Sequence, residues 1–380
     1  MKKIRILLFI FPIVLILAMS IKAEDIKGEI FNSISDELDY FKDSLPEYVQ
    51  DFFPSELLEG DFSQLINGEI NEKSFFELTL SYLTSGINTV LKEFASILAL
   101  IIIISIFNIL SNSLSETNAS NIFSICSALC ISITVLNVCN ALASNTAAYM
   151  KLLCNVMNSF IPIIISTLTM SGNMSSAVVI NSSFILFINV VETFLLSFML
   201  PLIKMCLAFG CVKCLNNCCD VSGISKTVKT TFTSVTVFVM SLFMFVLSYK
   251  STLSQSADSI SLKTTKFAIS SFVPLVGASV NETLRTVNAS LTMIKKSCGV
   301  MAIIAVAVIM LPIIINLFLN KLSFNLLSSL SRLMGCNNEN SILEEADSVC
   351  GFLLTLVSCT CVLFIFSLTI FLKTGTEVGQ

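Results

Sequence analysis

Residues 300–319 read VMAIIAVAVIMLPIIINLFL, twenty positions whose only polar side chain is Asn316. A helix of that length rises about 30 Å, the depth of a bilayer's hydrocarbon core, and it satisfies its own backbone hydrogen bonds where no water can. Working outward, Phe94–Leu110 and Phe184–Leu200 have the same character, and short polar breaks separate such runs from about residue 88 onward. The pattern predicts an all-α polytopic membrane protein with six to eight membrane segments. Composition agrees: 54% of residues are hydrophobic and 13% charged, against about a quarter charged in soluble domains.

The chain has no His and no Trp. Absence of His removes Ser-His-Asp and Cys-His catalysis, His-ligated zinc and imidazole proton relays together. No phosphate-binding loop or dinucleotide fingerprint occurs, so nucleotide energy would come from a partner. The reading is of a non-enzyme that needs no cofactor and no metal.

Residues 1–23 read as a signal peptide, with Lys2, Lys3 and Arg5 before the apolar run Ile6–Met19 and Ala23 before the expected cut. Residues 24–87 carry 15 acidic and 3 basic residues, whereas 88–380 carry 15 basic and 11 acidic. Export and acidity together place 24–87 outside the cytoplasm as a small helical region, because Lys and Arg are the residues that resist translocation. Phe31, Ile34, Leu38 and Phe41 recur there at helical spacing. An acidic exported face excludes nucleic acid as a partner.

The membrane portion repeats with a period near 111 residues. Ser159-Phe160-Ile161-Pro162-Ile163 matches Ser271-Phe272-Val273-Pro274-Leu275, and Met199-Leu200-Pro201-Leu202-Ile203 matches Met310-Leu311-Pro312-Ile313-Ile314. The spacing predicts membrane repeats at 88–200 and 201–311, followed by a kinked span, an amphipathic helix and a last span over 312–380. Proline removes a backbone donor, so Pro162 and Pro274 mark broken or re-entrant segments, with Gly172 and Gly277 as the turning points. Pro201 and Pro312 mark the longer helix of each copy. The plainer reading is that proline and small residues serve packing.

Glu192 is the one carboxylate well inside a long apolar run, where an unpaired charge costs a few kcal/mol or more; it either lines a polar path or joins Asn181 or Asn189 in a structural network. The 14 cysteines all follow residue 88, and Cys206, Cys211, Cys214, Cys218 and Cys219 cluster. A thiolate metal site would need two separated ligand pairs on a folded loop, so these read as small reduced membrane residues. Asn281–Lys296 and Lys321–Leu333 are amphipathic, and Ser341-x-x-Glu344 resembles a capping box before the span Val349–Leu372. Lys204, Lys213, Lys226 and Lys229 place the Lys204–Lys229 connection in the cytoplasm.

The order of these features resembles the stage III sporulation protein AE family of endospore-forming bacteria. The residues that carry the likeness are Met157-Asn158-Ser159-Phe160-Ile161-Pro162, Leu200-Pro201-Leu202 and Phe272-Val273-Pro274-Leu275-Val276-Gly277. The resemblance implies a subunit of the mother cell–forespore channel or secretion complex in the mother-cell-derived outer forespore membrane, acting as conduit or export-gate-like platform. It implies as partners the other proteins of the sporulation stage III operon, among them ring-forming subunits and a secretion-type ATPase, and a forespore protein across the intermembrane space. Self-association in the lipid bilayer is compatible with it. A secondary transporter of a small solute is the alternative, and a non-conducting scaffold the third reading.

Overall fold

A computed structural model of the chain describes residues 37–50, 72–113, 117–215, 222–272 and 277–374. The expected signal peptide, Pro274 and the second half of the cysteine cluster, Cys218 and Cys219, lie outside the described residues. The rest is helical with no strand among the described residues: α1 (37–44), α2 (Glu47–Gln50), α3 (Glu72–Ser113), α4 (Thr117–Met170), α5 (Met174–Asn189), a π-helical turn (Val190–Leu196), α6 (Ser197–Leu215), α7 (Ser222–Phe272), α8 (Gly277–Leu333) and α9 (Asn337–Lys373).

Six of these segments contain stretches long and apolar enough to cross a membrane, at 79–110, 122–170, 174–193, 223–261, 294–333 and 337–373. Several are far longer than a crossing requires; the 57 residues of α8 rise about 85 Å, so its ends stand well outside a core of about 30 Å. Cross-helix bonds fix the directions. Ser105 of α3 donates to the Met334 carbonyl at 2.9 Å and Ser127 of α4 to Glu339 at 2.7 Å, so one end of the bundle gathers the end of α3, the start of α4 and the α8–α9 turn. At the other end Asp258 of α7 meets the start of α5, and Lys295 of α8 donates to the Thr374 carbonyl beyond α9. The six passes therefore alternate, with α5, the π-turn and α6 forming one of them.

Glycine makes both visible hairpin turns. Gly172 (φ 78°) and Gly335 (φ 77°) are the left-handed residues that follow α4 and α8, a conformation only glycine adopts without a steric cost. Each closes the same motif: Asn173 N–H to Leu168 O at 2.9 Å and Gly172 N–H to Thr169 O at 3.0 Å, then Cys336 N–H to Ser331 O at 3.0 Å and Gly335 N–H to Arg332 O at 3.1 Å. Pro162 does not end α4; it lies within the helix, and the chain reverses at Gly172. Flanking residues Phe160, Ile161, Ile163 and Ile164 are buried, and this packing holds the helix through the lost hydrogen bond. Pro201 and Pro312 likewise sit inside α6 and α8. The amphipathic stretches Asn281–Lys296 and Lys321–Leu333 are parts of α8, not separate helices. Because α9 starts at Asn337 after the Cys336 N-cap, Ser341 and Glu344 lie inside the helix and form no capping box.

The α8–α9 hairpin is the spine on which α3, α4, α6 and α7 lean. In lipid, helices associate by close packing rather than by escape from water, and the centre is filled accordingly: Met157, Phe160, Met301, Ala305, Ile309, Leu317, Leu353 and Phe364 are essentially inaccessible. Phe187 meets Phe364 edge-on with centroids 4.7 Å apart. Outside the spans, Phe41 of α1 enters this core against Phe160 (5.2 Å), and Glu37 accepts from Ser166 at 2.6 Å. The 37–50 part of the acidic region is thereby pinned to the end that carries Gly172. Burial, and then the phenols of Tyr149 and Tyr82, hold the Tyr48 hydroxyl above the usual phenol range.

Candidate functional site

The pass built from α5 and α6 is the one whose helix is interrupted. Val190–Leu196 winds as a π-helix immediately before α6, which carries Pro201 one turn in. Proline cannot supply the bond its turn requires, and a widened turn upstream is a common way for a helix to absorb that defect. Glu192 lies in the first turn of this segment, half-buried and within electrostatic reach of the Cys154 thiol on α4. None of the three ion pairs among the described residues includes it. Its chain neighbour Thr193 lines a groove of about 750 Å³ together with Asn181, Ser182, Ile185, Leu186 and Asn189 among others. The Asn181 Oδ1 is enclosed without a hydrogen-bond partner, so it does not join Glu192 in a bonded network.

A second polar constellation lies at the bundle end that carries Gly335. The first three turns of α9 present Glu339, Asn340, Glu344, Glu345 and Asp347 to its neighbours. Lys229 of α7 pairs with Glu345, which also accepts from Ser225; the side chains of Lys229 and Glu345 are 8% and 13% exposed. Lys321 of α8 reaches both oxygens of Asp347 at 3.1 and 3.2 Å, and Arg332 pairs with Glu344 at the surface. Ser328 donates to Asn340 at 2.7 Å, and Asn340 to Glu344 at 2.7 Å. Gly210 of α6 lets that helix lie against the same face, since a Cβ there would stand 2.9 Å from Ile342 and 3.0 Å from Glu345. The seam locks α6, α7 and α8 onto α9. At the opposite end both oxygens of Asp258 accept from the first backbone N–H groups of α5, Ser175 at 3.0 Å and Ser176 at 2.9 Å, a negative charge on the positive end of a helix.

The structure does not bring the positions singled out from sequence to one place. Pro162 is packed within α4, Gly172 turns the α4–α5 hairpin, Glu192 and Pro201 share the interrupted pass, Pro312 is inside α8, and Gly277 begins α8. Cys206 and Cys214 are buried in the core as small side chains. Sequence reading named Glu344 only as a capping residue and Lys229 only as a topology marker, and it missed Glu339, Glu345, Asp347 and the pairing of these acids with lysines. Their only linear signal is the cluster Glu339, Glu344, Glu345 and Asp347 just before an apolar run; the partner lysine is 116 residues away. Among the described residues no three His, Cys, Asp or Glu side chains are grouped to hold a metal.

The sequence pattern of the family described as stage III sporulation protein AE matches residues 58–375. The chain belongs to that family. It is also similar to the stage III sporulation protein AE of Bacillus subtilis (strain 168), at 19% identity over 361 residues that cover 94% of this chain and 87% of the relative. No solved structure matches the chain. Membership of the stage III sporulation protein AE family ties this multi-pass helical bundle to sporulation, and the match takes in all six candidate spans and both polar ends of the bundle.

Proposed function

We propose that this protein is a membrane subunit of a channel or secretion complex between mother cell and forespore, working as a platform on which other subunits assemble. Family membership across residues 58–375 carries the reading. The filled centre of the bundle refines it: with Met157, Met301, Ala305 and Leu353 at 0% exposure, cargo would pass between chains rather than down the axis of one. The ring-forming subunits and forespore protein would meet the end that carries α1 and Gly172, and the secretion-type ATPase the end that carries Gly335. Supporting that orientation are the signal-like N-terminus, the acidic region beside it, and Lys213, Lys226 and Lys229 at the opposite end. The exposed Lys250, Lys263 and Lys296 lie on the exported side in this reading, on helices long enough to carry charge beyond the bilayer. The protein works without catalysis of its own. The duplication belongs to the proposal as well; Pro201 and Pro312 each stand inside a helix.

Deleting the gene in its native host tests this. Normal growth, arrest after engulfment and a silent late-forespore reporter are expected. Normal spores would refute it. A solute transporter is the second reading, favoured by the half-buried Glu192 beside the groove. Glu192→Gln decides: a platform keeps sporulation near the unsubstituted level, whereas a transporter coupled through this carboxylate loses function with assembly intact.

A further inference from the structure

At the end of the bundle that carries Gly172, two exposed faces of opposite charge stand at the same height. Phe41 of α1 reaches Phe371 of α9 through Phe160, with ring centroids 5.2 and 6.1 Å apart. Gln255 of α7 donates to the hydroxyl of Thr374, just beyond α9, at 3.2 Å. Both elements are therefore level with the last turn of α9, and they are seated on different neighbours: α1 and α2 on α4 and α8, α7 on α5, α6 and α9. On α1 and α2, Asp39, Asp43 and Glu47 are exposed, together with Tyr40 at 63%. On α7, Leu253 and Ile260 are 53% and 67% exposed. Seven residues apart, they share one face of the helix, and the exposed Lys250 and Lys263 flank it. Asp258 points the other way, into the start of α5. None of these exposed charges pairs with another described residue. Thirteen of the 17 residues in 250–266 are polar, so this part of α7 meets water, where a bare aliphatic face on a basic helix marks a protein contact.

We propose that copies of this protein join head to tail, the α1–α2 face of one seated on the α7 face of the next. A second copy is selected because the chain carries both halves of the contact: carboxylates beside an exposed aromatic ring, and lysines beside exposed aliphatic side chains. A two-fold contact through either face would set like charges together. Two different faces that meet form a heterologous contact, and copies related by rotation about the membrane normal meet at equal height, as these faces do. Such a contact closes into a ring. The inference rests on these surfaces and needs no sporulation role.

The test uses the full chain in lipid vesicles, labelled for energy transfer between copies. Transfer that falls as lipid is added is expected. Lys250→Glu with Lys263→Glu should weaken association about three- to thirty-fold, as for two exposed ion pairs turned to repulsion, and Asp39→Lys with Asp43→Lys should weaken it similarly. Mixing the two variants should restore association, because each offers the face that the other lacks; a change acting only within one chain's own fold cannot be rescued in this way. A photoreactive phenylalanine at Tyr40 should cross-link to residues 250–263 of a second copy. A monomer at every lipid ratio, a mixture no better than either variant alone, or cross-linking at Tyr40 to lipid only would overturn the proposal. So would cross-linking in native membranes to a protein of another mass only.

Discussion

Removing the Lys229 ammonium alone leaves the Glu345 carboxylate with Ser225 as its remaining partner in a site only 13% exposed. Two unit charges in contact attract by about 4 kcal/mol at an effective dielectric near 20, and desolvating both offsets much of that. Losing one partner keeps the desolvation and forfeits the attraction, so Lys229→Ala should cost about 3–5 kcal/mol. Replacing both groups with apolar side chains of similar volume, as in Lys229→Met with Glu345→Leu, should recover most of the loss. Arg332–Glu344 is the internal control: at 60% and 40% exposure it contributes under about 1 kcal/mol, and Arg332→Ala should be nearly silent. Unfolding in mixed micelles, followed by loss of helical signal against denaturing detergent, measures all four proteins. Equal small effects for Lys229→Ala and Arg332→Ala would refute the claim that burial makes the α9 seam a structural lock. So would a double variant as unstable as the single.

Gly210→Ala should cost about 1–3 kcal/mol by overpacking the α6–α9 contact, where the new Cβ would stand 2.9 Å from Ile342; Gly223→Ala, with nothing within 4 Å, should be neutral or stabilising in the same assay. Asp258→Ala should lose about 0.5–2 kcal/mol with the cap of α5, read as faster hydrogen exchange at Ser175 and Ser176 than in the rest of the helix. Phe41→Ala removes a side chain at 0% exposure that meets Phe160; it should free the 37–50 segment, giving rapid protease cleavage there while the membrane bundle stays resistant.

Spans were legible because a run such as 300–319 leaves a chain no other way to satisfy its backbone. Gly172 was legible as a turning point, since Ser171-Gly172-Asn173 supplies the residue that tolerates positive φ. Pro162 misled as a breaker because proline reports only the lost local bond, whereas the packing of Phe160 and Ile164 against neighbouring helices decides whether the helix continues. The stretch Lys321–Leu333 was read from the stripe Leu322, Leu326, Leu330 and Leu333, of which Leu322, Leu326 and Leu333 are exposed and Leu330 is half-buried; a stripe carries no information on where its helix starts, which is why α8 proved much longer. The α9 lock was illegible for a different reason. Of its acids only Glu344 was singled out, as part of a capping box, and only the fold brings Lys229, Lys321 and Arg332 to them.

The most direct test of the alternating six-pass bundle places paired cytoplasmic and exported reporters, inserted without truncation, next to Glu116, Asn173, Cys219, Leu275 and Gly335. The account predicts cytoplasmic signal at Glu116, Cys219 and Gly335 and exported signal at Asn173 and Leu275. Any two successive positions reporting the same side would contradict it.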